Sequence, residues 1–120
     1  MRILSFGYKY GIPRESDMVL DMRFIRNPFY EKNLRNLNGK NSKVIKYIEK
    51  QESFKVFFKS FLKLFIDTLP MFSDEGKKYL TIAFGCTGGI HRSVMVAEMF
   101  CKQMNKKKID VFLDHRDLKK

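Results

Sequence analysis

The spacing of apolar and polar residues predicts seven elements in the order β-β-α-α-β-α-β. Short apolar runs bounded by turn-forming residues predict strands at residues 2–6, 18–24, 79–84 and 109–113. Apolar residues three and four positions apart predict helices at about 42–51, 54–69 and 91–105. Residues 27–40 follow no period, so this long connection is predicted to be either a functional loop or poorly ordered.

The second predicted helix has the most distinctive pattern. Its apolar residues recur at the spacing of a core-facing helix: Phe54, Phe57, Phe58, Phe61, Leu62, Phe65, Ile66 and Leu69. Lys55, Lys59 and Lys63 line the opposite side and are expected to face solvent. The aromatic stripe is therefore predicted to be core rather than a platform for stacking bases. Pro70 is expected to end or kink the helix.

The connections between these elements predict the fold class. A helix joins the last two strands, which is typical of parallel strands in α/β domains, and 120 residues suit a single domain. We therefore expect a small three-layer α/β domain with a largely parallel sheet. Ligands of such sheets lie beyond the carboxyl ends of the strands, where residues 5–10, 23–27, 86–92 and 115–116 would meet.

A glycine-rich loop, residues 85–93, follows the third predicted strand and leads into a helix. Gly88 and Gly89 let a ligand oxygen approach the backbone amides at the positive end of that helix. Further donors come from Thr87, His91, Arg92 and Ser93, and the planar guanidinium suits a phosphate. The loop is therefore predicted to bind an anion, most simply a phosphate group.

Two alternatives remain open around this loop. The glycines could serve only a tight turn, with Arg92 paired to a carboxylate such as Glu98 or Asp114. His115 and Arg116, at the end of the last strand, could close the pocket or form an exposed pair.

The chain contains no Walker A pattern, GxxxxGK[ST], so ATP hydrolysis by the loop is not expected. Cys86 and Arg92 do have the C-x5-R spacing of protein tyrosine phosphatases, with a thiolate nucleophile at a helix N-terminus. Against that alternative, Gly85 stands where those enzymes carry a histidine, and no segment offers a general-acid aspartate. Cys86 could equally be a small apolar residue at the end of a strand.

The composition limits the cellular setting. Two cysteines, Cys86 and Cys101, form neither a disulfide framework nor a CxxC zinc site, and the first residues resemble no signal peptide. The lysines of the most apolar predicted helix exclude a membrane span. We expect a cytoplasmic protein without a cofactor. The formal net charge of +11 and the sequence pI near 9.8 favour a polyanionic partner, although such a charge also occurs in ordinary soluble proteins.

Long motifs along nearly the whole chain resemble one known family, the C-terminal domains of the RNase adapter protein RapZ. The similar segments are residues 5–13, 21–24, 27–28, 69–71, 79–81, 85–94 and 115–116. The resemblance implies a fold like a phosphofructokinase subdomain, and no catalytic activity. It also implies sensing of glucosamine-6-phosphate or a related nucleotide sugar, and binding of small regulatory RNA, in the control of amino-sugar synthesis. A ribonuclease partner and a homo-oligomer are further expectations.

By this resemblance, Thr87, Gly88, Gly89, His91 and Arg92 would line the phosphosugar pocket. Phe29 replaces a histidine expected in that pocket, so the affinity or the choice of sugar could differ. The N-terminal domain with Walker motifs that usual members carry is absent from this sequence.

RNA binding is expected to involve five lysines near the end of the chain: Lys106, Lys107, Lys108, Lys119 and Lys120. The alternative for these lysines is a solvated helix end and a frayed terminus.

Overall fold

A four-stranded parallel sheet forms the centre of the computed structural model, which describes residues 1–76 and 79–120. The strands are β1 (Arg2–Gly7), β2 (Met18–Asp21), β3 (Thr81–Cys86) and β4 (Phe112–His115). Their order in the sheet is β2-β3-β1-β4, and all neighbours are parallel. The predicted small α/β domain with a parallel sheet is confirmed.

Three helices pack on one face of this sheet. They are α1 (Ser42–Glu49), α2 (Glu52–Asp74) and α3 (Arg92–Lys106). Asn41 caps α1, because its side chain accepts a hydrogen bond from the amide of Lys43. α3 provides the connection from β3 to β4 and packs against the two central strands.

The aromatic stripe of α2 is core, as its period predicted. Phe61 and Phe65 are buried against Phe100 of α3, with ring centroids 5.5 and 5.1 Å apart, and Phe61 also meets Phe84 of β3 at 6.0 Å. The three lysines on the opposite side of α2 are exposed. This cluster therefore joins two helices to the sheet.

A second, smaller cluster lies on the other face of the sheet. It contains Leu4, Phe6 and Ala83, and Tyr8 packs against it. The ring of Tyr8 meets that of Phe6 edge-on at 4.8 Å. Both faces of the two central strands are thus buried. This explains why the sequences of β1 and β3 are mostly apolar and do not alternate with polar residues.

Several predicted boundaries were wrong. β3 begins two residues later and extends through Cys86, because Gly85 and Cys86 still pair with Phe6 and Gly7 of β1. Gly85 lies under the rings of Phe6 and Tyr8, where a Cβ would come within 2.4 Å of Phe6. β4 is shifted towards the C-terminus and includes His115. β2 ends at Asp21, and α2 continues past Pro70 to Asp74, since Phe72 still packs against the core.

The unpatterned connection is ordered by contacts with the glycine-rich loop. A short 3-10 helix, Pro28–Tyr30, is followed by turns, and Leu34 is buried. The amide of Gly39 donates to the carbonyl of Ile90 at 2.9 Å, and a Cβ at Gly39 would come within 2.3 Å of the carbonyl oxygen of His91. Residues 27–40 were predicted to be either a functional loop or poorly ordered, and this packing agrees with the first of the two.

Candidate phosphate-binding site

The loop between β3 and α3 leaves a run of backbone amides without partners. β3 ends at Cys86 and α3 begins at Arg92. Within the described part of the chain, no amide from Thr87 to Arg92 donates a hydrogen bond. The first amides of a helix point along its axis and carry the positive end of its dipole. This run of donors is therefore suited to an anion.

Two close backbone contacts fix the shape of the loop. Gly89 has a φ angle of 76°, and a Cβ at this position would lie 2.6 Å from the amide nitrogen of Gly7. A Cβ at Gly7 would in turn lie 2.5 Å from the carbonyl carbon of Gly88. The end of β1 and the loop thus pack backbone on backbone. Gly88 itself faces open space, because a Cβ added there would meet no atom within 4 Å.

Arg92 crosses beneath the loop and is only 4% exposed. Its Nη1 donates to the carbonyls of Arg23 and Ile25 at 3.0 and 2.9 Å, and its Nη2 donates to Thr87 Oγ1 at 3.3 Å. Its Nε is buried without a partner among the described residues. These bonds hold the guanidinium in place without neutralising it.

The predicted alternative, a carboxylate partner for Arg92, is wrong. Within the described residues Arg92 forms no ion pair, because Glu98 bonds His115 at 2.6 Å and Asp114 pairs with Arg2 at 3.7 Å. The charge of Arg92 does act on one carboxylate, that of Asp21, without forming an ion pair with it. The pKa of Asp21 is lowered chiefly by hydrogen bonds from Arg23, and more weakly by the charge of Arg92.

His91 is buried at the start of α3 and is 6% exposed. Its Nε2 has no hydrogen-bond partner in the described part of the chain. Burial lowers its pKa below the ordinary value of 6.5, against the opposing effect of the backbone of Leu34, Leu37 and Arg35. The imidazole is therefore neutral at pH 7.

These groups meet a cavity of about 310 Å³ at the carboxyl edge of the sheet. Its lining comes from three segments: Lys9, Asn27, Phe29, Tyr30, Cys86, Thr87, Gly88, Ile90, His91 and Arg92. This volume lies within the range of pockets that hold small molecules. The loop side of the cavity is polar and cationic, and the segment before Glu31 contributes two aromatic rings.

Two predicted loop residues support the cavity instead of lining it. Gly89 packs on Gly7, and the Ser93 hydroxyl accepts a hydrogen bond from the thiol of Cys86 at 3.1 Å. The amide of Ser93 also donates to that sulfur, at 3.4 Å. Cys86 is only 2% exposed, although it belongs to the cavity lining.

His115 and Arg116 lie at the same sheet edge but outside the cavity lining. His115 bridges Ser5 and Glu98, at 2.6 Å to each, and Arg116 bonds Asp117. Asp117 was not predicted from the sequence, in which it is only one acidic residue shortly after the last strand. Its buried carboxylate accepts a hydrogen bond from the amide of Gly7 at 2.7 Å and holds the strand end on which the loop packs.

The five lysines expected to bind RNA do not form one patch. Lys106, Lys107 and Lys108 lie at the C-terminal end of α3, which runs antiparallel to the strands. Lys119 and Lys120 follow β4 at the opposite end of the sheet, where Lys120 pairs with Asp117. The 15 residues of α3 separate the two groups by roughly 20 Å.

Two kinds of feature are absent from residues 1–76 and 79–120. No cluster of His, Cys, Asp and Glu side chains there could hold a metal ion. No helix in the same residues is long and apolar enough to cross a bilayer.

Comparison with known proteins gives one consistent result. The family model of the RapZ C-terminal domain matches residues 1–119. A nucleotide-binding protein of Endomicrobium trichonymphae is 53% identical over 116 residues, and that of Acidobacterium capsulatum is 48% identical over 115. A third, from Carboxydothermus hydrogenoformans, is 45% identical over all 120 residues. These matches cover 97%, 96% and 100% of this chain but only 40%, 38% and 42% of the relatives, so the chain spans about two fifths of their length.

Proposed function

Because the chain belongs to the RapZ C-terminal domain family, we propose that its cavity binds an amino-sugar phosphate such as glucosamine-6-phosphate. The phosphate group would lie against the loop amides and Arg92. The sugar would lie against the wall formed by residues 27–30. In this proposal the domain is a sensor module that binds its ligand without converting it.

The observation that carries the proposal is the run of free amides, Thr87 to Arg92, beside a buried guanidinium that has no carboxylate partner among the described residues. Phosphate oxygens accept several such bonds at once, and charge-assisted bonds are about twice as strong as neutral ones. Lys9 adds a second cation to the same cavity. A neutral sugar alone would leave most of these donors without a partner.

The aromatic residues of the cavity are suited to contact a sugar or a base that lies next to the phosphate. Phe29 and Tyr30 are exposed, and their rings lie 5.8 Å apart. Such rings pack against the apolar face of a sugar or stack on a base. Since the relatives are named nucleotide-binding proteins, a nucleotide sugar is the second ligand class that we propose to test.

Cys86 supports a binding role over phosphatase chemistry. Cys86 lines the cavity but is only 2% exposed, and its thiol is a hydrogen-bond donor to Ser93, whereas phosphatase chemistry needs an accessible thiolate. We keep the C-x5-R phosphatase as the alternative to be tested.

The regulatory part of the proposal is an adapter role in amino-sugar metabolism, with small regulatory RNA and a ribonuclease as partners. The net charge of +11 supports a polyanionic partner.

Isothermal titration calorimetry tests ligand binding directly, with glucosamine-6-phosphate, glucosamine, a nucleotide sugar and sulfate as four titrants. We expect saturable binding of the phosphorylated sugar and none of glucosamine. Arg92→Ala should weaken binding at least about tenfold, since a hydrogen bond to a charged group contributes about 1.5–3 kcal/mol. Arg14→Ala removes the same charge from an exposed position outside the cavity and should change nothing.

The outcomes separate the alternatives. Absence of binding by any phosphosugar or nucleotide sugar at millimolar concentration, with the domain folded by circular dichroism, would refute the proposal. Equal binding of sulfate would reduce the loop to an unselective anion site. Hydrolysis of an aryl phosphate that Cys86→Ser removes would instead establish the phosphatase.

A further inference from the structure

A second basic site lies outside the phosphate cavity, in a groove between α1 and the turns that precede it. The groove has a volume of about 390 Å³. Residues from both sides line it: Glu31, Asn33, Leu34, Lys43, Lys46, Tyr47 and Lys50. None of its three lysines belongs to the patch that the sequence predicted.

The lysines form a row along one face of α1 that ends at Lys50, the residue after its last turn. Lys43, Lys46 and Lys50 are three and four residues apart, so their backbone positions are separated by roughly 4.5 and 6 Å along the helix axis. All three are exposed, and within the described residues none forms an ion pair. One carboxylate, Glu31, lines the same groove. The row therefore keeps most of its positive charge.

Aromatic side chains accompany the row. Tyr47 lines the groove between the lysines, and the Lys50 ammonium lies 5.5 Å from the centre of its ring. Tyr30, which is 77% exposed, lies one residue before Glu31 and lines the phosphate cavity. Residues 27–34 thus form a continuous wall from the cavity to the groove. A cationic groove that contains one partly exposed ring, Tyr47, and adjoins an exposed one, Tyr30, resembles the arrangement by which proteins hold single-stranded nucleic acid.

The charge of the chain around the groove also favours a nucleic acid as the partner. Residues 26–52 contain seven lysines and arginines against three glutamates. On α2, by contrast, the exposed Lys63 is paired with Asp67 at 2.7 Å, so part of the charge of that helix is compensated. The segment that surrounds the groove is therefore strongly positive.

We propose that the α1 groove binds the phosphodiester backbone of single-stranded RNA, with Lys43, Lys46 and Lys50 as the phosphate contacts. This inference rests on the proposed RNA-binding role and assigns it a surface. The strand would run along α1 towards Tyr30, whose ring can stack on a base. Lys106, Lys107 and Lys108, at the distant end of α3, would contribute little.

Fluorescence anisotropy with a labelled 20-nucleotide single-stranded RNA tests the surface. The variant carries Lys43→Gln, Lys46→Gln and Lys50→Gln. Its matched control carries Lys55→Gln, Lys59→Gln and Lys102→Gln, which remove the same charge from exposed positions elsewhere. Losing three phosphate contacts should lower the salt slope of log K by about 2 and weaken binding by on the order of 100-fold at 0.1 M salt. The control should stay within about threefold of the wild type.

Each possible result tests a different part of this proposal. Equal losses in the two triple variants would overturn the α1 groove, because only total charge would then matter, while RNA binding itself would stand. No binding by the folded wild-type chain would overturn both RNA binding and the groove, and would leave the phosphosugar titration unaffected. Competition by polyglutamate as effective as that by unlabelled RNA would overturn the assignment to RNA and show that an acidic polypeptide is the partner.

Discussion

Replacing Gly89 by alanine tests the loop geometry on which the proposed site depends. The φ angle of 76° lies in the left-handed region, where an ordinary residue is disfavoured by about 1–2 kcal/mol. The added Cβ would also lie 2.6 Å from the amide nitrogen of Gly7 and 2.9 Å from the carbonyl carbon of Phe6. Both are backbone atoms that cannot move aside as a side chain would, and overpacking of this kind costs about 1–3 kcal/mol.

Together the two effects amount to roughly 2–5 kcal/mol, a large part of the roughly 5–15 kcal/mol that stabilises a typical domain. For a chain of this size, Tm should fall by roughly 8–20 °C. Thermal unfolding followed by circular dichroism measures this directly. A second reading comes from calorimetry with glucosamine-6-phosphate, since a displaced loop should also bind the phosphate less well.

Gly88→Ala is the matched control, one residue away. A Cβ at Gly88 meets no atom within 4 Å, and the φ angle of Gly88 is not among the positive ones. Its Tm should therefore stay within about 3 °C of the wild type, because a change at an unstrained surface site is usually worth less than about 0.5 kcal/mol. Since Gly88 lines the cavity, ligand binding should nevertheless weaken. Equal Tm values for the two alanine variants would refute the assigned roles of these glycines.

Two further predictions concern titratable groups. Burial raises the pKa of Asp117, but hydrogen bonds from Arg116, the Gly7 amide and Lys120 lower it overall. Asp117→Asn should therefore cost about 2 kcal/mol at pH 7, and the difference should shrink in melts below about pH 4, where the unfolded carboxyl takes up its proton. A pH-independent difference would contradict this. Burial lowers the pKa of His91, so stability should fall below about pH 6.5 as the unfolded state binds a proton first. His91→Gln should flatten that part of the Tm profile, and an unchanged profile would assign it to other groups.

The parts of the fold that local pattern determines could be predicted from the sequence. The stripe of α2 faces the core because its apolar residues repeat with the helix period, and the glycine-rich turn after β3 leads into α3 as its composition indicated. The same holds for Arg92 and His91, which line the cavity that the loop was predicted to form.

Features that depend on distant contacts could not be predicted in this way. β3 continues through Gly85 because this residue still pairs with Phe6 of β1, and the rings of Phe6 and Tyr8 leave no room there for a side chain. The carbonyls that hold Arg92 belong to residues 67 and 69 positions away in the chain. The contact between Asp117 and Gly7 spans 110 residues. No local pattern contains information about such pairs.

These distant contacts also explain how a loop with so many free amides keeps its shape. Asp117 holds the end of β1 through the Gly7 amide, and Gly7 packs on the loop from one side. Gly39 packs against His91 and donates to Ile90. The loop is thus supported by the surrounding chain, and a ligand need not supply the free energy to order it. Substitutions at Gly7 or Gly39, neither of which lines the cavity, should therefore weaken phosphate binding as much as substitutions within it.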